Sequence, residues 1–325
     1  MIDAKGEVVH LPEASVFVRE VGEGPPLLLI NGLGAHTSMW GPLEQSLRGF
    51  RIVEFDLPGA GQSAVPCRAV SIQRLARLAA SLMDHCGMHR ADVLGYSMGG
   101  TVAQQLAADL PERVRRLVLV ATTPGRGAVQ GDPKAMLNIM TPARYLSPRL
   151  YTKTIGSLVG GRARHDTAWI REQTRVRLQH APTWRGYLGQ LRSLTWWSGL
   201  PLLPRIGHPT LVVTGDDDPL APAINAMMIT HLLSRGRLLI VKGEGHLLAV
   251  DETSASHAPI REFFLARSLS QCEAWTKAVT VDSAELDAAL AAVGRQMPPW
   301  SIVNAMARRR WLVGNTPAPP ASDNL

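Results

Sequence analysis

An α/β protein, with a mostly parallel central sheet flanked by helices and an inserted helical lid, is the fold class predicted by three features of the sequence. Short apolar, strand-like runs alternate with segments of helical periodicity over residues 16–120 and again over 210–269. The runs are apolar throughout rather than at alternate positions, as expected of strands buried on both faces. Between the two blocks, residues 125–207 break the alternation and change in composition.

The elements follow in order. Val16-Phe17-Val18 and, after Pro25-Pro26, Leu27 to Ile30 read as strands, the second closing in the turn-forming Asn31-Gly32-Leu33-Gly34. Arg51 to Phe55 is a further strand ending at Asp56-Leu57-Pro58-Gly59. Ile72 to Cys86 carries Ile72, Leu75, Leu78, Ala79, Leu82 and Met83 at helical spacing, with Ser71 as the N-cap and Gly87 past the end. Ala91 to Leu94, a helix from Met98 to Asp109 and the strand Val114 to Val120 complete the first block. The second holds the strand Thr210 to Val213, a helix near Ile224 to Leu233, the strand Leu238 to Val241 and a helix from Ala258 to Leu269. The predicted organisation is therefore a core in two parts, 1–124 and 208–269, a helical cap at 125–207, and a helical extension at 270–325 with a disordered end. In the extension, Asp282 and Glu285 form a capping box for a helix from Ala284 to Val293, and Trp300 to Val313 is a second helix carrying Arg308-Arg309-Arg310.

Composition narrows the class. With 325 residues, 46% apolar and 19% charged, the chain is long enough for a sizeable core and unlike a disordered or repeat sequence. Its charged first residues lack the apolar stretch of roughly 7 to 15 residues of a secretory signal, which leads to a cytoplasmic expectation. Cys67, Cys86 and Cys272 are odd in number and far apart, fitting neither a disulfide framework nor a zinc site. The net charge of +7 is uneven: residues 125–207 hold 13 Lys or Arg against 3 Asp or Glu. No nucleic-acid motif accompanies that charge, and no nucleic-acid partner is expected.

Gly95-Tyr96-Ser97-Met98-Gly99 matches G-x-S-x-G between a strand and a helix, where the glycines permit a sharp turn that exposes a serine hydroxyl. An unassisted hydroxyl is a poor nucleophile, so Ser97 requires a base. Of ten histidines, His246 alone lies directly after the last sheet strand and before the last core helix, at the same sheet edge as Ser97. His36 is near enough to line a pocket. The orienting acid comes from Asp216-Asp217-Asp218-Pro219, which follows the strand Thr210 to Val213. Asp218 is the choice, with Asp216 and Asp217 as alternatives; the other acid position, after Val120, holds Ala121-Thr122-Thr123. The amides of Leu33 and Met98 are the expected oxyanion hole. Neither metal nor cofactor is implied.

At these residues the chain resembles the α/β-hydrolase superfamily, and within it the intracellular medium-chain-length polyhydroxyalkanoate depolymerases, over about Pro25 to Leu265. Leu28 to Ala35, Phe55 to Gly61, Ala103-Gln104-Gln105, Pro111-Glu112-Arg113 and Gly215 to Leu220 carry the resemblance. Asn31, where many superfamily members have histidine, points to the depolymerases, as do Pro142 to Leu146 and Trp196-Trp197 in the cap. The resemblance implies an α/β-hydrolase fold and a nucleophile, acid and base at Ser97, Asp218 and His246. It implies a serine hydrolase cleaving an aliphatic hydroxyacid polyester or oligomer. Met98 departs from the tryptophan of that family, and Leu247 from the tryptophan of carbon–carbon bond hydrolases. A carboxylesterase or lipase is the alternative, acyl transfer and perhydrolysis use the same triad, and a non-catalytic ligand-binding protein is the alternative of another class. The cap holds seven of the twelve Trp and Tyr residues, and with Leu200, Leu202 and Leu203 these suggest an apolar acyl pocket, while its arginines are suited to attract a carboxylate, a phosphate-coated surface or an anionic lipid or polyester granule, or else simply face water. Trp275, Trp300 and Trp311 raise an interfacial tail.

Overall fold

Eight strands form one sheet in a computed structural model that describes residues 6–66 and 70–296. They are β1 (Glu7–His10), β2 (Ser15–Val21), β3 (Pro26–Ile30), β4 (Arg51–Phe55), β5 (Ala91–Tyr96), β6 (Val114–Val120), β7 (Thr210–Gly215) and β8 (Gly236–Val241). Their spatial order is β1-β2-β4-β3-β5-β6-β7-β8. The first two pair antiparallel, β1 on β2 and β2 on β4, and every later pairing is parallel. Parallel neighbours require crossovers, and helices supply them, α1 (Gly41–Ser46), α2 (Ile72–His85), α3 (Met98–Asp109) and α8 (Ala223–Leu232), while α9 (His257–Leu265) follows the last strand.

The uniform apolarity of the central strands now has its cause. β3, β5, β6 and β7 are buried almost throughout, with Leu28, Ile30, Val93 and Leu117 facing one helical layer and Leu27, Leu29, Leu94 and Val118 the other. Alternate residues of one strand thus feed two separate cores. Ser71 caps α2 as predicted, accepting the Arg74 amide at 3.2 Å. The strand β1 was not legible in the sequence, and the last core helix ends at Leu265 rather than Leu269, where Ala266 turns to an extended backbone.

Between β6 and β7 the chain leaves the sheet and forms α4 (Pro133–Ile139), α5 (Pro148–Val159), α6 (Thr167–Gln179) and α7 (Trp184–Thr195). Leu203 is fully buried in the core, and Leu200 and Leu202 pack against it, so these three leucines join the segment to the body rather than line a pocket. Trp197 is likewise buried, its indole donating to Gln105 Oε1 at 2.7 Å. Two of the segment's arginines, Arg144 and Arg177, are buried, against the expectation that they face water.

After β8 come α10 (Glu273–Lys277) and α11 (Ser283–Gln296). The capping box of α11 is reciprocal, with the Glu285 amide donating to Asp282 Oδ1 at 2.8 Å and the Asp282 amide to Glu285 Oε2 at 3.1 Å. Leu286 and Leu290 enter the core, and Trp275 stacks on Phe263 at 5.4 Å, so Trp275 belongs to the body and not to an interfacial tail. Leu238 and Val279 exchange backbone hydrogen bonds of 2.8 and 2.9 Å, laying the chain before α11 along β8. Cys67 and the predicted helix Trp300 to Val313, with Trp311 and Arg308 to Arg310, lie outside the described residues, as does the end of the chain.

Candidate active site

The strand-to-helix turn at Ser97 is as tight as its glycines suggest. Ser97 has φ 53° and ψ −120°, a conformation disfavoured for a residue with a Cβ and retained only where surrounding contacts impose it. Those contacts are the Ser97 amide donating to Val120 O at 2.9 Å and Thr122 Oγ1 donating to Ser97 O at 2.7 Å. At Gly99 a Cβ would overlap the backbone oxygen of Ile30, so any side chain there would push α3 away from β3.

His246 sits in the loop after β8, its Nε2 2.9 Å from Ser97 Oγ and its Nδ1 2.7 Å from Asp218 Oδ2. The other carboxylate oxygen of Asp218 accepts the amides of Leu220 and Ala221 at 2.8 and 2.9 Å, which fixes the carboxylate plane. Asp218 and His246 are both buried, and Ser97 is partly exposed. The structure thereby separates the three aspartates. Asp216 accepts the Gly243 amide at 2.6 Å and holds a turn. Asp217 pairs with Arg164 at 2.6 Å and accepts the Gly161 amide, and Arg164 holds its carboxyl below the usual carboxylate range. Only Asp218 meets the imidazole.

The loop Asn31 to Gly34 lies against the serine, a Cβ on Gly32 falling 3.1 Å from Ser97 Cβ. Within this loop the amide of Gly32 is taken by Asn31 Oδ1, that of Gly34 by Gln190 Oε1 and that of Ala35 by Gly32 O, at 2.9, 2.9 and 3.2 Å. Among the described residues the Leu33 amide has no acceptor. The Met98 amide, at the first position of α3, has none either, as helix geometry dictates. Both expected oxyanion donors are unspent, and Asn31 holds the loop by donating from Nδ2 to His36 O at 2.9 Å.

Around this row stand His36, expected near the pocket, and Tyr96, Trp40 and Arg177, to which the sequence reading gave no role at the site. The Tyr96 ring lies 5.5 Å from the His246 ring and 6.0 Å from Trp40, and burial raises its phenol well above the ordinary range. His36, buried against the backbone of Val176 and Arg177, is pushed down to about 4 by burial first and then by Arg177 and His180. Arg177 is its neighbour from α6. The spacing of Ile170, Gln173, Thr174 and Arg177, one helical face, is the signal that it points inward. Among the described residues no cluster of His, Cys, Asp and Glu could hold a metal ion.

A serine on a sharp strand-to-helix turn, an imidazole and a carboxylate at the carboxyl ends of β5, β8 and β7 define a class, the hydrolases built on an open α/β sheet. A family model described as alpha/beta hydrolase fold matches residues 25–253, and the chain belongs to that family as a carboxylic ester hydrolase. It is 35% identical over 246 residues to a poly(3-hydroxyalkanoate) depolymerase of Ectopseudomonas oleovorans, covering 74% of this chain and 84% of the relative. It is 30% identical over 241 residues to a pimeloyl-[acyl-carrier protein] methyl ester esterase of Nitrosomonas europaea, covering 72% and 93%. In three dimensions it is similar to the enol-lactonase of Burkholderia xenovorans LB400, with a TM-score of 0.69 at 23% identity over 79% of this chain and 99% of that one, a likeness of fold.

Proposed function

We propose that the protein hydrolyses an aliphatic hydroxyacid polyester or its oligomers through an acyl-enzyme on Ser97. The single observation that carries the mechanism is the hydrogen-bonded row Ser97–His246–Asp218 beside two free amides. Ser97 Oγ attacks the ester carbonyl while His246 Nε2 takes its proton; Asp218 orients the ring and stabilises the imidazolium. The carbonyl oxygen becomes negative and is received by the Leu33 and Met98 amides, each such donor contributing about 3 kcal/mol in comparable sites. His246 returns its proton to the leaving alkoxide, the alcohol departs, and water activated by the same imidazole releases the acid and frees Ser97.

The polyester substrate is supported by the 35% identity to a poly(3-hydroxyalkanoate) depolymerase. A particle surface as partner is supported by Leu137, Met140, Leu146, Leu150, Trp184, Leu188 and Trp196, all exposed apolar residues within the strongly basic segment 125–207. Among the described residues no helix is long and apolar enough to cross a membrane. Wild type and Ser97→Ala incubated with a chain-length series of nitrophenyl esters and with a medium-chain polyhydroxyalkanoate emulsion test the reading. Release of hydroxyacids that requires Ser97 is the expected result. Cleavage of small esters alone would make the protein an esterase of another substrate class, and no difference from Ser97→Ala on any substrate would leave a binding role.

A further inference from the structure

We infer that Arg177, with His36, forms a carboxylate subsite beside Ser97, and that the preferred substrates are hydroxyacid esters whose leaving group ends in a free carboxylate. The inference rests on the reading that Ser97 attacks an ester, and adds to it which substrates are selected.

Arg177 is buried to 8% exposure, and its Nε and Nη2 have no hydrogen-bond partner. A guanidinium stays charged at every pH a protein meets, and a buried charge is ordinarily paired. Here the strongest electrostatic neighbours are the phenols of Tyr151, Tyr96 and Tyr145 and a second guanidinium, Arg144, with no described carboxylate in ion-pair reach. Arg144 is otherwise provided for: it donates to the carbonyls of Asn138 and Thr141 at 3.2 and 3.0 Å and to Tyr187 Oη at 3.0 Å, and lies over two tyrosine rings. Two positive charges thus share one interior, and one of them has its hydrogen-bonding edge unused. That edge, Nε with Nη2, is the fork that grips the two oxygens of a carboxylate side-on.

The position ties this charge to the reaction. Arg177 is in the last turn of α6, which packs on the turn Thr37–Met39 directly after His36. His36 follows the loop that holds the Leu33 amide, and Tyr96 precedes Ser97 with its ring against His246. Arg177 therefore lies over residues that flank both the nucleophile and the oxyanion loop. His36, neutral at pH 7 and set against the backbone of Val176 and Arg177, adds no competing charge. Cleaving a hydroxyacid dimer releases a hydroxyacid whose carboxylate is a few bonds from the ester oxygen, so a subsite for it has to lie close to the nucleophile.

The test compares a 3-hydroxyacid dimer bearing a free carboxylate with its methyl ester. Wild type is expected to show at least tenfold higher kcat/KM for the free acid, a preference that falls to near unity in Arg177→Gln and returns in part in Arg177→Lys. Equal rates on the two dimers in wild type, or an undiminished preference in Arg177→Gln, would overturn the subsite. Binding is read independently by calorimetry on Ser97→Ala: the free acid is expected to bind at least tenfold tighter than the methyl ester. Equal binding overturns the inference even where no substrate is turned over, and tighter binding of a matching phosphate monoester reassigns the pocket from carboxylate to phosphate. Failure of Ser97 attack would instead appear as hydrolysis that persists in Ser97→Ala, a separate outcome.

Discussion

At the scale of single residues, the short contacts of Asp218 predict a large and specific loss. Asp218→Asn leaves the packing intact but presents an amide to His246 Nδ1, and kcat is expected to fall about 10⁴-fold with an unchanged melting temperature, measured on a nitrophenyl ester. The choice of this aspartate could be made from chain order and strand position, but the roles of Asp216 and Asp217 could not, because both depend on partners, Gly243 and Arg164, brought in from elsewhere in the chain. The buried histidines predict a pH response. His36, His208 and His257 are all lowered, chiefly by burial. Below the unfolded value of 6.5 the unfolded chain takes up protons that the folded one refuses, so stability present above pH 6.5 is lost as pH falls toward the folded values. His36 alone, held to about 4, accounts for about 1.5 kcal/mol between pH 6.5 and 5, the slope approaching roughly 1.4 kcal/mol per pH unit only well below 6.5. Urea unfolding at both values checks this, and His36→Asn should flatten the slope.

Elements show where sequence periodicity suffices and where it fails. The sheet and its crossovers were legible because burial on both faces forces apolar runs, and α2 and α11 because Ser71 and the Asp282–Glu285 pair mark their starts locally. The helices α4 to α7 were legible only as a helical cap without boundaries, since their packing rests on tertiary pairs such as Gln190 Nε2 donating to Pro58 O. The burial of Arg177 ran against its residue type, and type outweighed the helical spacing that could have exposed it. At the junction of β5 and α3 the geometry makes a sharper demand. Gly99→Ala would drive a methyl group into Ile30 O, and a destabilisation of about 3 kcal/mol is expected by chemical denaturation. A loss under 1 kcal/mol would mean that α3 can slide on β3 at no great cost.

For the molecule as a whole, charge and apolar exposure coincide. Residues 125–207 carry the excess of basic residues and also Trp184 and Trp196, 49% and 73% exposed. Replacing both tryptophans with serine is expected to reduce partition onto polyester particles severalfold while leaving cleavage of a soluble nitrophenyl ester unchanged; retained partition would assign particle binding to another surface. Sequence located this surface by composition, but not which rings face outward, because Trp169 and Trp197 of the same segment turn into the interior.

The strip of chain that reaches Val279 has a consequence for crowding. An open sheet ends in two rows of unsatisfied amides and carbonyls, and each is a template on which another molecule can add a strand. Here one margin ends in the four-residue β1, and at the other Leu238 is already paired with Val279 of its own chain. On the proposed particle surface, where bound copies would meet constantly, such blunted margins would keep them from fusing sheet to sheet.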